Sequence, residues 1–279
     1  MHGSLWHTAR DQRDAAPTSR TPLRQVRIGY AWIDALRLRG ALEVIAELVA
    51  LGRGGIVVTP NVDHVVRLER DAAFRDVYAR ADLVLADGAP ILWAARLLGT
   101  RLPEKVSGSD LVLPLMQAAA ERGWRVYLLG GAPGVADAAA ELLRRQHRVN
   151  VVGVDSPTVT TEGDDAGERA IAARIRAARP DVVLVALGAP KQERLSARLR
   201  GAVAPAVLVG VGVSLSFLTG HVRRAPRWVS RLGLEWLHRL LQEPRRLWRR
   251  YLVEDPAFVG VVLRTWRLPA SARVRTRPT

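Results

Sequence analysis

Short apolar runs alternate with segments of helical periodicity along most of this sequence, and that alternation restricts its fold more than any other feature. The runs are rich in β-branched residues and lead into glycine, proline, asparagine or aspartate; they lie at 56–58, 82–86, 125–129, 149–154, 181–187 and 206–211, with a shorter one at 27–31. Strands separated by helices favour right-handed βαβ crossovers. The pattern predicts an α/β, Rossmann-like fold with a mostly parallel sheet and helices on both faces.

Two of these runs place polar side chains at their carboxyl ends. The first leads into Thr59, Asn61 and Asp63, and the second leads into Asp87. Open parallel sheets bind ligands at this edge, so the four side chains are expected to share one rim. The alternative is that they are ordinary helix N-caps. Asp87 is the better placed base, because partial burial after an apolar run should raise its pKa, and Asp63 is its competitor.

Two glycine-containing turns follow later runs. The turn at 130–134 has the sequence Gly-Gly-Ala-Pro-Gly, and the turn at 188–193 has the sequence Gly-Ala-Pro-Lys-Gln-Glu. The first fits either a structural tight turn or a pyrophosphate cradle at a helix N-terminus. The second adds a cation and an amide that can reach a ligand. The phosphate-loop motif G-x-x-x-x-G-K-[ST] does not occur in the sequence.

Composition narrows the class of protein. The chain has 279 residues, 48% of them hydrophobic and none of them cysteine, which excludes disulfides and thiolate chemistry and favours a reducing compartment. No apolar run is long enough to span a bilayer, and residues 1–26 lack the hydrophobic region of a signal peptide, so a cytoplasmic chain is expected. We predict a disordered leader over 1–24, a core over 25–220, a helical appendage over 221–253 and a tail over 254–279.

Positive charge is concentrated near the carboxyl terminus. The formal net charge is +15, and arginines interleaved with tryptophans crowd the predicted appendage. Such a basic surface indicates a binding partner that carries phosphate groups, which could belong to nucleic acid, to anionic lipid or to a diphosphate substrate. The tryptophans lie at helical spacing, which fits a bilayer interface or packing against the domain and disfavours base stacking. A non-enzymatic module that binds anionic lipid or nucleic acid is the alternative to an enzyme.

Metal catalysis is not expected, because no Asp-x-Asp pair occurs and the six histidines are scattered. Arginines, helix N-termini or backbone amides would then neutralise a diphosphate leaving group. For Glu235, beside Trp236, the sequence is equally consistent with a structural role, in which its carboxylate pairs with the neighbouring arginines.

Eight short motifs occur along the chain: Thr59-Pro60-Asn61, Ala81-Asp82 with Asp87-Gly88, Val106-Ser107-Gly108-Ser109-Asp110-Leu111, Leu128-Leu129-Gly130-Gly131, Gly188-Ala189-Pro190-Lys191-Gln192-Glu193, Gly210-Val211-Gly212, Arg224-Ala225-Pro226, and Leu234-Glu235-Trp236 with Glu243-Pro244-Arg245-Arg246. In this order, they resemble the WecG/TagA/CpsF glycosyltransferase family over roughly residues 27–253. The resemblance implies transfer of N-acetylmannosamine, its uronic acid or a related hexose from UDP to a polyprenyl-diphosphate-linked sugar. It implies an inverting, metal-independent enzyme without a cofactor, peripheral on the inner face of the plasma membrane, that builds teichoic acid or another cell-surface polysaccharide.

The resemblance also implies roles for residues. Asp87 resembles the base that deprotonates the acceptor hydroxyl. Thr59 resembles a residue that shapes the sugar pocket, and we predict that it is catalytic together with Asp87. The appendage arginines resemble those that fold over the site, hold the diphosphates and approach the anionic membrane. The substrate-binding residues implied in this way are Asn61, Lys105, Gly108, Gly130, Gly131, Gly188, Lys191, Gln192, Glu193, Arg224, Glu235, Arg239, Arg246 and Arg249.

Two features leave the substrate and the assembly open. Leu215-Ser216 stand where the family usually has Phe-Asp, which leaves the donor sugar undetermined. An apolar helix face can serve either a homo-oligomer or closure of the appendage over the site. No nucleic acid partner is implied by the resemblance.

Overall fold

The computed structural model of this protein describes residues 22–226, 229 and 233–277, and the side chain of Arg246 is outside the described part. The strands are β1 (Leu23–Ile28), β2 (Ala31–Asp34), β3 (Gly55–Val58), β4 (Leu83–Val84), β5 (Arg125–Gly130), β6 (Asn150–Asp155), β7 (Val182–Ala186), β8 (Val207–Gly210) and β9 (Val274–Arg277). The α-helices are α1 (Leu38–Leu51), α2 (Val62–Arg70), α3 (Ala72–Ala79), α4 (Ala89–Leu97), α5 (Gly108–Arg122), α6 (Val135–His147), α7 (Asp165–Ala178), α8 (Lys191–Val203), α9 (Ser214–Leu218), α10 (Glu235–Gln242), α11 (Pro244–Arg249) and α12 (Ala257–Trp266). A π-helical turn (Arg250–Glu254) joins α11 to α12, and a 3-10 turn (Ala270–Arg273) precedes β9.

Six strands form one parallel sheet in the order β4-β3-β8-β7-β5-β6. Successive side chains of a strand point to opposite faces, so Ile56 and Val58 enter one core while Val57 enters the other. Helices α2, α3, α7 and α8 cover the first face, and α1, α5, α6 and α9 cover the second. The predicted α/β class is confirmed, and the carboxyl ends of β3, β8, β7 and β5 lie side by side.

A smaller antiparallel sheet, in the order β2-β1-β9, packs into the first core. The prediction of a single strand at 27–31 was wrong, because Gly29 adopts φ 59° and turns the chain between β1 and β2. A hairpin results, and its residues Val26, Ile28 and Ile33 are fully buried.

Residues after 253 are part of the fold, which corrects the predicted tail. Strand β9 pairs with β1, and Arg277 Nη2 lies 3.3 Å from the buried carboxylate of Asp34. The backbone N–H of Gly29 donates to Thr265 Oγ1 on α12 (2.8 Å). At the other end, β1 begins at Leu23, so the predicted leader boundary at residue 24 is too late; residues 1–21 lie outside the described chain. Long-range pairing joins both ends, and local patterns do not encode it.

The segment predicted as a helical appendage forms α10, α11 and the π-helical turn. Pro244 is the first residue of α11 and separates this helix from α10, because proline lacks the backbone N–H that a continuous helix would need. Trp228 lies outside the described residues. Within the part of the chain that the structure describes, no helix combines the length and hydrophobicity needed to cross a bilayer.

Local contacts determine where two elements near the sheet edge begin. Helix α5 is capped by Ser107, because Ser107 and Asp110 form a reciprocal capping box. Strand β4 is shorter than the predicted run at 82–86, because Asp82 Oδ2 accepts the backbone N–H of Ile56 (2.8 Å) at its start. The chain still follows β3 beyond the strand and delivers its next residues to the sheet edge.

Candidate active site

A cleft of about 780 Å³ opens at the carboxyl edge of the parallel sheet. The ends of β3, β7 and β8, the N-terminus of α5 and residues of the carboxyl-terminal segment form its walls. Most of the residues that the sequence predicts for the site line this cleft: Thr59, Asn61, Asp87, Gly108, Gly131, Gly188, Gln192, Arg224, Glu235 and Arg239. The structure thus brings together side chains that are up to 180 positions apart in sequence.

Backbone contacts hold the rim in place. The N–H of Asp87 donates to the carbonyl oxygen of Pro60 (3.0 Å), which joins the segment after β4 to the end of β3. Gly108 lies so close to Val211 that a Cβ atom there would be 2.9 Å from the Val211 Cα. Only glycine permits this approach, which brings the N-terminus of α5 against the loop after β8.

Asp87 is partly buried in the cleft. Burial raises the pKa of Asp87 above its usual range, the Lys105 ammonium opposes that rise, and the Glu235 carboxylate adds to it. A carboxyl group with a raised pKa is a stronger base when it is ionised, and Asp87 lines the open cleft. The structure therefore gives Asp87 the environment that a general base requires.

A cluster of alternating charges beside Asp87 connects the core to the carboxyl-terminal segment. Lys105 Nζ lies 3.0 Å from Glu235 Oε1 and 3.3 Å from Asp110 Oδ2. Arg224 forms an ion pair with the same Asp110 carboxylate. Glu235 therefore forms an ion pair with a lysine that is 130 positions away in the sequence. Lys105 contacts these acids and does not line the cleft itself.

Burial acts to raise the pKa of Asp110, but the hydrogen bond from Ser107 and the charges of Lys105 and Arg224 outweigh burial and lower that pKa. Asp110 thus stays ionised and can anchor both cations.

Asn61 is both a helix N-cap and a residue of the cleft, which the sequence left open as alternatives. It is the N-cap of α2, where its Oδ1 accepts the backbone N–H of His64 (3.4 Å). The same oxygen accepts a hydrogen bond from Arg250 Nη2 (3.0 Å), and Asn61 lines the cleft. Asp63 lies in the first turn of α2 with Arg67 at 3.4 Å, as expected of a helix-start carboxylate.

Some predicted site residues do not line the cleft. Lys191 is exposed at the start of α8, and Glu193 is 1% exposed behind the cleft wall. A Cβ atom on Gly130 would lie 2.8 Å from the carbonyl oxygen of Ala186, which indicates a packing role for this glycine. Arg249 is mostly exposed and pairs with Glu254 (3.4 Å). Arg246 belongs to α11, but its side chain is outside the described part.

Sequence reasoning missed Arg67, His64 and Arg250, all of which line the cleft. The Nε atoms of Arg67, Arg239 and Arg250 are buried and have no hydrogen-bond partner within the described structure. All three arginines line the cleft, and the positive charge of their guanidinium groups suits an anionic ligand. The spacing of Arg67 four residues after Asp63 on one helix is the only sequence signal that identifies any of them.

Asp255, next to the π-helical turn, is a second carboxyl group with a raised pKa. Burial raises its pKa from 3.8 to about 6, Arg250 opposes this, and Asp63 and Glu254 add to it. The folded state therefore loses stability as the pH rises from about 4 to above 6, where the native carboxyl group ionises at a cost.

Asp255→Asn removes that cost. At pH 7.5 we expect the free energy of unfolding of the variant to be roughly 2 kcal/mol higher than that of the wild type, which raises its unfolding temperature by about 4 to 8 °C. Near pH 4 the two proteins should unfold at the same temperature. Thermal unfolding followed by circular dichroism at both pH values measures this, with Asp137→Asn, at an exposed aspartate on α6, as the control. An equal difference at both pH values would contradict the assignment.

No group of three histidine, aspartate or glutamate side chains with the spacing of a metal site occurs among the described residues.

The fold and the cleft define an α/β protein that presents a carboxylate and several arginines at the carboxyl edge of a parallel sheet. The sequence matches the Glycosyl transferase WecG/TagA/CpsF family over residues 26–272. The chain belongs to this family and is a glycosyltransferase of cell-surface polysaccharide synthesis. The match reaches beyond residue 253, which corrects the prediction that the tail lies outside it and agrees with the packing of α12.

Proposed function

We propose that this chain transfers a sugar from a UDP-sugar to a polyprenyl-diphosphate-linked sugar by a single, inverting displacement without a metal ion. The observation that carries the proposal is the presence of Asp87 and three arginines, Arg67, Arg239 and Arg250, around one cleft. Asp87 removes the proton of the attacking acceptor hydroxyl. The hydroxyl oxygen then forms the bond to the anomeric carbon as the bond to UDP breaks, so the configuration inverts.

Arg67, Arg239 and Arg250 stabilise the negative charge that develops on the departing diphosphate. Guanidinium groups donate paired, charge-assisted hydrogen bonds to phosphate oxygens, and they gain strength in a partly buried site. The N-terminus of α5, which faces the same cleft, adds its partial positive charge. The chain thereby supplies the neutralisation that a divalent cation provides in other nucleotide-sugar enzymes.

The lipid-linked acceptor requires contact with a membrane, and the carboxyl-terminal segment offers a surface for it. We define the C-terminal apolar surface by its exposed side chains: Leu237, Leu241, Trp248, Leu252, Val253, Val259, Leu263 and Trp266. It includes eight of the twelve large apolar side chains that are exposed in the described chain. Arg245, Arg249, Arg264 and Arg267 lie exposed among them. Apolar side chains beside cations match the interface of an anionic leaflet.

A donor screen tests the proposed reaction. Purified protein is combined with a panel of UDP-sugars, including N-acetylmannosamine, its uronic acid and related hexoses, and a short-chain prenyl-diphosphate-sugar acceptor. We expect one donor to give a product of the added mass with release of one UDP, at a rate that EDTA changes by less than about twofold. Loss of the reaction in EDTA, with recovery on adding Mg²⁺ or Mn²⁺, would contradict metal independence; no product with any donor would contradict the reaction.

A further inference from the structure

Two polar side chains face the cleft from different elements. Asn61 follows β3 and contacts Arg250 of the carboxyl-terminal segment, whereas Gln192 follows β7 at the start of α8. Gln192 is 4% exposed, and its Oε1 accepts the backbone N–H of Gly212 after β8 (2.9 Å). Both residues therefore bring together separate walls of the same cleft.

Glu193 lies behind the wall and connects to Gln192. Its Oε1 accepts a hydrogen bond from Gln192 Nε2 (2.6 Å), while its Oε2 is buried and has no partner among the described residues. The Glu193 side chain is 1% exposed, and burying a carboxylate costs free energy unless hydrogen bonds or opposite charges offset the loss of hydration. The placement needs a reason beyond packing, since an apolar side chain of this size would avoid that cost.

His64 connects the same carboxylate oxygen to Asn61. Its Nε2 lies 3.3 Å from Glu193 Oε1, and its Nδ1 lies 2.8 Å from Asn61 Oδ1. The same Asn61 oxygen accepts from Arg250, and the backbone N–H of Asn61 donates to His64 Nδ1 (3.4 Å). The ring of His64 therefore lies between the Glu193 carboxylate and Asn61.

We propose that His64 and Glu193 are positioning residues that join the two walls of the cleft through one continuous chain of hydrogen bonds. The chain runs from Gly212 through Gln192, Glu193 and His64 to Asn61 and Arg250. It fixes the Gln192 and Asn61 amides relative to each other without Glu193 touching the substrate. The effect on turnover rests on the proposed glycosyl transfer, whereas the hydrogen-bond chain itself does not.

Kinetics of matched variants test the effect on turnover. Glu193→Met keeps the volume and removes both acceptor contacts, and we expect it to lower kcat about tenfold to a hundredfold. Glu193→Gln keeps an oxygen at Oε1 and an amide at the unpartnered position, so we expect it to retain kcat within about threefold. A packing role would leave these two variants equal. Equal kcat values for Glu193→Met and the wild type would overturn the inference.

Hydrogen exchange tests the chain independently of activity. We expect the Gly212 amide to exchange about tenfold faster in His64→Ala and in Glu193→Met, but at the wild-type rate in Glu193→Gln. The control is Glu168→Gln, because Glu168 also anchors α8, through Arg198 at 2.8 Å, without lining the cleft. Unchanged exchange at Gly212 in both His64→Ala and Glu193→Met would overturn the inference even if sugar transfer were never detected.

Discussion

Asp87→Asn is expected to lower the rate of sugar transfer about a thousandfold or more while the protein stays folded. General bases contribute roughly 10²- to 10⁴-fold to rates, and the amide that replaces the carboxylate cannot accept the acceptor's proton. UDP release and product mass, measured with the donor and acceptor that the wild type uses, give the comparison. The amide preserves the shape of the side chain, so a large loss reports on proton transfer.

The pH profile of the wild type gives the same base assignment a second test. Burial raises the pKa of Asp87, with Lys105 opposing, and a base must be deprotonated to act, so kcat/KM should fall with decreasing pH through a pKa above the usual aspartate range. Lys105→Met removes the opposing charge and should move this acid limb to higher pH. The pH profile of Asp87→Asn should lack this acid limb.

Asp137→Asn is the control for these measurements, because Asp137 is exposed on α6 and does not line the cleft. It should leave both the rate and the pH profile unchanged. More than about a tenth of wild-type activity in Asp87→Asn would contradict the base assignment and direct attention to Asp63, the other cleft aspartate.

The double variant Leu263→Gln, Trp266→Gln is expected to bind anionic vesicles about a hundredfold more weakly than the wild type. These side chains are 54% and 60% exposed on α12, and each loses roughly 1.5 kcal/mol of apolar transfer into the bilayer interface. Their opposite neighbours Val261 and Thr265 remain buried, so the helix keeps its packing. Flotation with vesicles of mixed zwitterionic and anionic lipid measures the partition.

Leu113→Gln is the matched control, because Leu113 is an exposed leucine on α5, which covers the opposite face of the sheet from α12. Its vesicle binding should equal that of the wild type. Binding of the wild type should also weaken with added salt and on neutral vesicles, since arginines contribute about 1 kcal/mol each near an anionic surface. Equal partition of the double variant and the wild type would contradict membrane docking through the C-terminal apolar surface.

The sequence predicted the architecture because its signals are local. Apolar runs of strand length between amphipathic helices determine a parallel sheet, and the polar residues that end two of the runs then lie at one edge. Thr59, Asn61 and Asp87 line one cleft for this reason. Their expected roles in catalysis remain predictions that the proposed experiments test.

The sequence did not indicate that Arg250 enters the cleft. The resemblance pointed to Arg239, which lines the cleft, and to Arg249, which is exposed, whereas Arg250 lines the cleft and contacts Asn61. A π-helical turn begins at Arg250, where the N–H of Asp255 donates to the carbonyl oxygen of Arg250 (2.8 Å), five residues back, and the helical phase changes after this residue.

By itself, the sequence determined the strand and helix pattern, the polar rim and the concentration of cations near the carboxyl terminus. Only the tertiary structure decided the partners across long distances: Lys105 with Glu235, Glu193 with His64, and β9 with β1. Local periodicity fixes which face of an element is apolar. It does not fix which buried charge meets which, because that depends on how distant elements pack and on where water is excluded.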